Sequence, residues 1–284
     1  MSKKKGKEFR LAHCAAPLLV ELCGEAAANG VYFLFALQIA PLFGKNGDGP
    51  FGMFQTWLLR PDTMYWLVPF LSFIFVYPVL MRWYQKDLLS WKETGHAVLL
   101  NGHPEYGDSE QSEKEGNNGS NERSNLQDMN GAKSESPVLF AFSAVQTVLF
   151  FLAASVILNG GLTFLARVVP LGLDRTRAAA ELLIGFAPWS VVLTTIVLAP
   201  LLEELLFRGL LFQRLREGLD FWTSAIASSL AFAVFHSGFG GFVYAVLFGF
   251  LFAIWYERNR SLLLVTLAHM TVNAFSFVLL FWKF

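Results

Sequence analysis

Two adjacent glutamates, Glu203 and Glu204, sit inside the apolar stretch "APLLEELLFRGLLF" at 199–212, with Arg208 four residues after the second. An ionisable side chain at bilayer depth costs about 2.5–3.5 kcal/mol on insertion scales, so such residues are functional candidates by default. On a helix, Glu204 and Arg208 are i,i+4 neighbours in the acid-first order that pairs best. Glu203 points about 100° away round the same helix, and its own i+4 neighbour is Phe207, which offers no charge. The pair therefore divides. Glu204 is compensated, while Glu203 is left facing something else, and a carboxylate without a cation suits general-base work.

Three more polar residues interrupt the apolar second half: His236 in "FAVFHSGFGG", and His269 with Asn273 in "LAHMTVNAF". His269 and Asn273 share a helix face at i,i+4. Counting from the inner helix ends near 216, 221 and 261, Glu203 lies ~20 Å deep, His236 ~22 Å, His269 ~12 Å and Asn273 ~18 Å at 1.5 Å per residue. All four fall in one broad layer, so convergence is feasible. Taken singly, a Glu–Arg pair or a lone His or Asn in a span is often an interhelical tie. Four polar groups at a shared depth, one without a local partner, favour a site.

The elements that must position these residues are membrane helices. The chain has 284 residues, of which 54% are hydrophobic and 15% charged, and its mean hydropathy is +0.45. A soluble domain would carry about 25% charged residues. Apolar stretches near spanning length fall at 17–43, 63–81, 138–159, 182–216, 221–237, 240–256 and 262–282. An eighth helix within 160–181 would change the count. The expected fold is therefore an all-α, multi-pass transmembrane bundle of about seven or eight spans. Its first span is interrupted by Glu21, Glu25 and Asn29, so it is expected to turn one face against other helices.

Residues 103–136, rich in Ser, Asn, Gly and Glu, are too polar to bury a core and read as a disordered loop. The resulting divisions are a basic tail at 1–16, an N-terminal transmembrane region at 17–102, the loop at 103–136, a third span with its connector at 137–181, and a membrane domain at 182–284. By the positive-inside rule, Lys3, Lys4, Lys5 and Lys7 with Arg82, Lys86, Lys92, Lys133, Arg214, Arg216, Arg258 and Arg260 outweigh Lys45, Arg60, Arg167, Arg175 and Arg177, so the amino terminus is expected in the cytoplasm. Equal numbers of basic and acidic residues, 22 each, give no net charge to attract nucleic acid. The partners expected are the lipid bilayer and a membrane-tethered protein or peptide. Only two cysteines occur, Cys14 and Cys23, so neither a disulfide framework nor a cysteine zinc site is expected.

Several protease chemistries lack their signatures. There is no H-E-x-x-H, no G-x-S-x-G, and no pair of intramembrane aspartates. A glutamate, two histidines and an amide can activate a water, orient it and stabilise an oxyanion. They could equally supply three ligands to a divalent metal, leaving one position open.

Three motifs then occur in order on apolar segments: "EELLFR" as E-E-x-x-x-R, "FAVFH" from Phe232 to His236 as F-x-x-x-H, and "HMTVN" as H-x-x-x-N. Over residues 182–282 the chain resembles the CPBP (CAAX protease and bacteriocin-processing, Abi) family, which includes the type II CAAX prenyl proteases. The resemblance implies an intramembrane endopeptidase with Glu203 as the water-activating base and His236 as a water-orienting partner. It also implies Glu204 and Arg208 as a buttress, Phe232 as structural support, and His269 with Asn273 as oxyanion stabilisers. Members of the family have been described both as metalloproteases and as metal-free glutamate proteases. A divalent metal such as zinc would fall to Glu203, His236 and His269. One departure is Gly249-x-x-x-Ala253, where two glycines are expected; alanine still permits close helix packing. The first 180 residues carry no matching motif.

Two other functional classes fit less of the pattern. A non-catalytic membrane scaffold would keep the motif residues for packing alone. A proton- or ion-coupled transporter would use the buried carboxylates and histidines as relays, but no matched repeat appears in the first half.

Overall fold

The computed structural model describes residues 11–34, 61–93, 137–169, 189, 192–236 and 238–282. These form seven helical runs. They are α1 (Leu11–Leu34), α2 (Pro61–Glu93), α3 (Pro137–Leu165), α4 (192–216), α5 (Phe221–Val234), α6 (Gly238–Asn259) and α7 (Leu262–Trp282). No strand occurs among the described residues. Five of the seven (α1, α2, α3, α6 and α7) contain stretches long and apolar enough to cross a membrane, and α5 is a shorter apolar helix. The multi-pass helical bundle expected from hydropathy is the fold observed. The stretch 103–136 and most of 160–181 lie outside the described residues. α1 starts at Leu11, inside the stretch 1–16 expected as a tail, because Cys14 and Pro17 already pack against the bundle.

α4 is the hub, packing against α1, α2, α5, α6 and α7. It is not a uniform α-helix: π-helical turns at Val192–Leu198 and Leu205–Phe212 flank an α-helical stretch, Ala199–Glu204. Pro200 stands inside the continuous run, just after the first π-helical turn, where its missing N–H removes a rung from the helical hydrogen-bond ladder. Every residue from Glu204 to Leu215 is buried. The wide turns of a π-helix are frequent at functional sites, and here the second one carries Arg208.

Polar ties collect at one end of the bundle and fix the helix order. Arg214 at the end of α4 pairs with Asp87 near the end of α2 at 2.7 Å and donates to the His13 carbonyl at the start of α1, also at 2.7 Å. Glu257 near the end of α6 bridges Arg216 at 3.2 Å and Arg260 at 2.7 Å. The helices therefore alternate up and down, as sequential membrane spans must. Asp220 caps α5 by accepting from the Thr223 amide at 3.1 Å, and Ser261 caps α7 by accepting from the Leu264 amide at 3.3 Å. At the opposite end of α5, Gly238 turns the chain into α6 with φ of 76°, a conformation that suits glycine.

Candidate active site

The site is built where α4, α5, α6 and α7 meet. Glu204 Oε1 accepts from Arg208 Nη1 at 2.9 Å, and both side chains are fully buried. Thus the i,i+4 pair expected from spacing is formed, across the junction between the α-helical and π-helical stretches. Arg208 also donates through Nη2 to the Gly249 carbonyl of α6 at 3.0 Å. Its guanidinium lies over the rings of Phe232 and Phe252, at 4.8 Å and 5.2 Å from their centroids. A planar, weakly hydrated cation between two aromatic faces is how arginine tolerates such burial.

Gly249 makes this contact possible. A Cβ there would come within 3.2 Å of Arg208 Nη2, Phe232 Cδ1 and Ser229 Cβ. Ala253, one turn later, is fully buried, so the departure from two glycines still leaves α6 close to its neighbours.

His269 of α7 is the joint of the site. Its Nδ1 lies 2.7 Å from Glu204 Oε1 and its Nε2 lies 3.5 Å from Glu203 Oε2. An ionised carboxylate only accepts, so Nδ1 carries the hydrogen given to Glu204 and Nε2 is turned towards Glu203. Phe252 packs against the imidazole at 4.8 Å between centroids, and Phe232 meets it edge-on at 5.6 Å. Glu204 therefore does more than pair with Arg208, for it also orients His269.

His236 follows the same logic. Its Nδ1 is 3.1 Å from the Phe232 carbonyl, an acceptor, so Nδ1 is the donor and Nε2 is the ring's other face. The ring stacks edge-on against Phe232 at 4.6 Å and interacts electrostatically with both Glu203 and His269. Glu203 itself keeps 28% of its side chain exposed, in contrast to the sealed Glu204. Two imidazoles with fixed Nδ1 atoms thus flank one partly open carboxylate.

Asn273 sits one helical turn beyond His269 on α7. Its Nδ2 donates to the Thr195 carbonyl in the first π-helical turn of α4 at 2.8 Å. This bond ties the two helices that carry the carboxylates and His269. Among the described residues, no three His, Cys, Asp or Glu side chains are arranged to hold a metal ion. The set Glu203, His236 and His269 therefore does not fit a metal centre, and no chemistry is routed through one.

Sequence reasoning missed the aromatic wall Phe252 and the acceptor at Thr195. Phe252 could have been found, since it lies three residues after Gly249 on the face where α6 closes on α4. Thr195 could not, because its backbone oxygen, not its side chain, makes the contact.

Comparisons with known proteins point the same way. Residues 185–275 match the family described as type II CAAX prenyl endopeptidase, Rce1-like. A candidate membrane peptidase of Bacillus subtilis (strain 168), YdiL, is 29% identical over 102 residues, which is 36% of this chain and 41% of that protein. The chain thus matches less than half the length of that curated relative. No solved structure matches it. The matched stretch holds Glu203, Glu204, Arg208, His236, His269 and Asn273, and over this region the chain is similar to the type II CAAX prenyl endopeptidase, Rce1-like family.

Proposed function

We propose that this protein is an intramembrane endopeptidase that hydrolyses a peptide bond in a membrane-tethered protein, with Glu203 as the base that activates water. The observation that carries this reading is the bridge Glu203–His269–Glu204, at 3.5 Å and 2.7 Å, inside an otherwise apolar bundle. A scaffold needs only the Glu204–Arg208 tie. It gives no reason to turn a second carboxylate and two oriented imidazoles on one another.

In the proposed reaction a water lies between Glu203 and His236 Nε2. Glu203 takes one of its protons as the water oxygen bonds to the scissile carbonyl carbon. The carbonyl electron pair moves to oxygen and forms a tetrahedral oxyanion. His269, held through Nδ1 by Glu204, donates through Nε2 to that oxyanion, with the second Asn273 amide hydrogen as a further donor. Collapse breaks the C–N bond, and the proton held by Glu203 passes to the leaving nitrogen. Removing one oxyanion donor typically costs about 10²–10³ in kcat.

The substrate class is a peptide anchored in the same bilayer, because the carboxylate lies at bilayer depth. In a host that prenylates proteins, it is a prenylated tail; otherwise it is a leader or sorting-signal peptide. The basic bundle end, with the amino terminus, is assigned to the cytoplasm by its Lys and Arg content. The test is reconstitution in liposomes with lipid-anchored and leader-type peptides, with both products identified by mass. The reading predicts one new amine and one new carboxylate terminus. Absence of cleavage across both peptide classes, under conditions where the protein is folded, contradicts it.

A further inference from the structure

α3 lies outside the matched stretch, yet it is tied to the helices that carry the site. Trp255 Nε1 of α6 donates to Thr147 Oγ1 of α3 at 3.1 Å, and Asn159 Nδ2 of α3 donates to the Tyr244 hydroxyl of α6 at 3.2 Å. The two ties are ~18 Å apart along α3 and ~17 Å apart along α6, at 1.5 Å per residue, so they pin an antiparallel pair at two matching levels. Between them Phe151, fully buried, packs against Phe252 at 5.2 Å, and Phe252 in turn packs against His269 at 4.8 Å. The inner face of α3 is therefore part of the wall behind the site.

The tie at Asn159 continues into α7. The Tyr244 hydroxyl lies 3.2 Å from Ser276 Oγ, a second hydrogen bond on the same oxygen. Asn159, Tyr244 and Ser276 are all half-buried. Hydroxyl and amide groups among apolar helices gain from finding one another, and such bonds fix helix positions in membranes. His269, Asn273 and Ser276 stand at i, i+4 and i+7 on α7, so they share one face. Ser276 is ~4.5 Å beyond Asn273 along the axis. Asn273 is thus held between two anchored neighbours: His269, fixed by Glu204 at 2.7 Å, and Ser276, fixed by Tyr244. Its own Nδ2 gives one hydrogen to the Thr195 carbonyl at 2.8 Å, so a small slide or rotation of α7 would move the remaining amide hydrogen off its line.

We propose that Tyr244 is a positioning residue for Asn273: its hydroxyl, braced by Asn159 of α3, holds Ser276 and so fixes the turn of α7 that presents the second Asn273 amide hydrogen to the oxyanion. This rests on the proposed role of Asn273 as an oxyanion donor. Such a donor works only at hydrogen-bond distance from the developing charge, and a misplacement of about 1 Å can cost about 10² in rate. α3 thereby gains a task in a reaction to which it contributes no reacting group.

The experiment compares kcat and KM of full-length variants in liposomes, using a membrane-anchored peptide that the wild-type protein cleaves, with the unfolding midpoint of each recorded. Tyr244→Phe keeps the ring against Phe248, 4.6 Å away between centroids, and removes only the hydroxyl. It should lower kcat by about 10–10², with KM and midpoint near wild type. Ser276→Ala should do the same, and Ser276→Thr, which keeps a hydroxyl, should retain most of the rate. The decisive arm combines Tyr244→Phe with Asn273→Ala: once the amide is gone, losing the hydroxyl should cost nothing further in kcat. Wild-type kcat in Tyr244→Phe overturns the proposal. So does a loss from Tyr244→Phe that persists at full size beside Asn273→Ala, since the hydroxyl would then act through something other than Asn273. Wild-type kcat in Asn273→Ala overturns it as well. If Glu203→Gln is slow in that same assay, the base assignment stands, and only the Asn273 donor and its brace fall.

Discussion

α3 and α4 are both strongly apolar, yet they meet opposite surroundings. On α3, Val138 is 76% exposed and Ile157 is 70% exposed, as befits side chains turned to lipid. On α4 the whole run from Glu204 to Leu215 is buried, and it contains two arginines and a glutamine as well as leucines and phenylalanines. Hydrophobicity therefore does not distinguish a lipid-facing helix from the centre of a membrane bundle. Charge does, because an ionised group survives at this depth only where other protein groups complete its coordination. α4 can carry Glu204 and Arg208 because α5, α6 and α7 supply aromatic faces, a carbonyl and an imidazole. α3 carries no charged side chain that would need them.

The contrast can be broken most severely at Arg208. Arg208→Ala leaves Glu204 buried without its cation and should destabilise the protein by about 3–5 kcal/mol, read as a lowered unfolding midpoint in detergent. His269→Ala should remove an oxyanion donor and cut kcat by about 10²–10³, with the protein still folded. A conservative overpacking, Gly249→Ala, forces a methyl against Arg208, Phe232 and Ser229 and should cost about 1–3 kcal/mol. Ile157→Ala on α3, facing lipid, should fall within about 0.5 kcal/mol of wild type. If Ile157→Ala proved as damaging as Gly249→Ala, the division between the two regions would be wrong.

A smaller effect sharpens the picture at the end of the bundle. The hydrogen bonds from Thr223 to Asp220 hold the Asp220 carboxyl below its ordinary range. A group depressed in the folded state contributes stability above its unfolded value and loses it as pH falls through the folded one. The start of α5 should therefore loosen only in acid. In Asp220→Asn that acid dependence should vanish, as seen by amide exchange at Thr223.

Much of this organisation was legible in the sequence, for identifiable reasons. Membrane helices announce themselves by length and composition, and each apolar stretch overlaps one of the seven helical runs among the described residues. The Glu204–Arg208 tie follows from helical spacing alone. The shared depth of Glu203, His236 and His269 follows from the rise per residue. What spacing cannot give is azimuth between helices. Nothing local told that His269 would touch Glu204 as well as Glu203, because that depends on how α7 is rotated against α4. Asn273 shares the helix face of His269, yet its amide nitrogen is tied to the Thr195 carbonyl of α4. The two π-helical turns were equally hidden, since they rephase α4 through backbone hydrogen bonding.

The account turns on Glu203, and the most direct measurement is the cleavage rate of Glu203→Gln in liposomes beside wild type, with the unfolding midpoint of each recorded. Loss of general-base catalysis is worth about 10²–10⁴ in rate. The account predicts a fall of that size with the midpoint preserved. Wild-type turnover by a folded Glu203→Gln protein would contradict it.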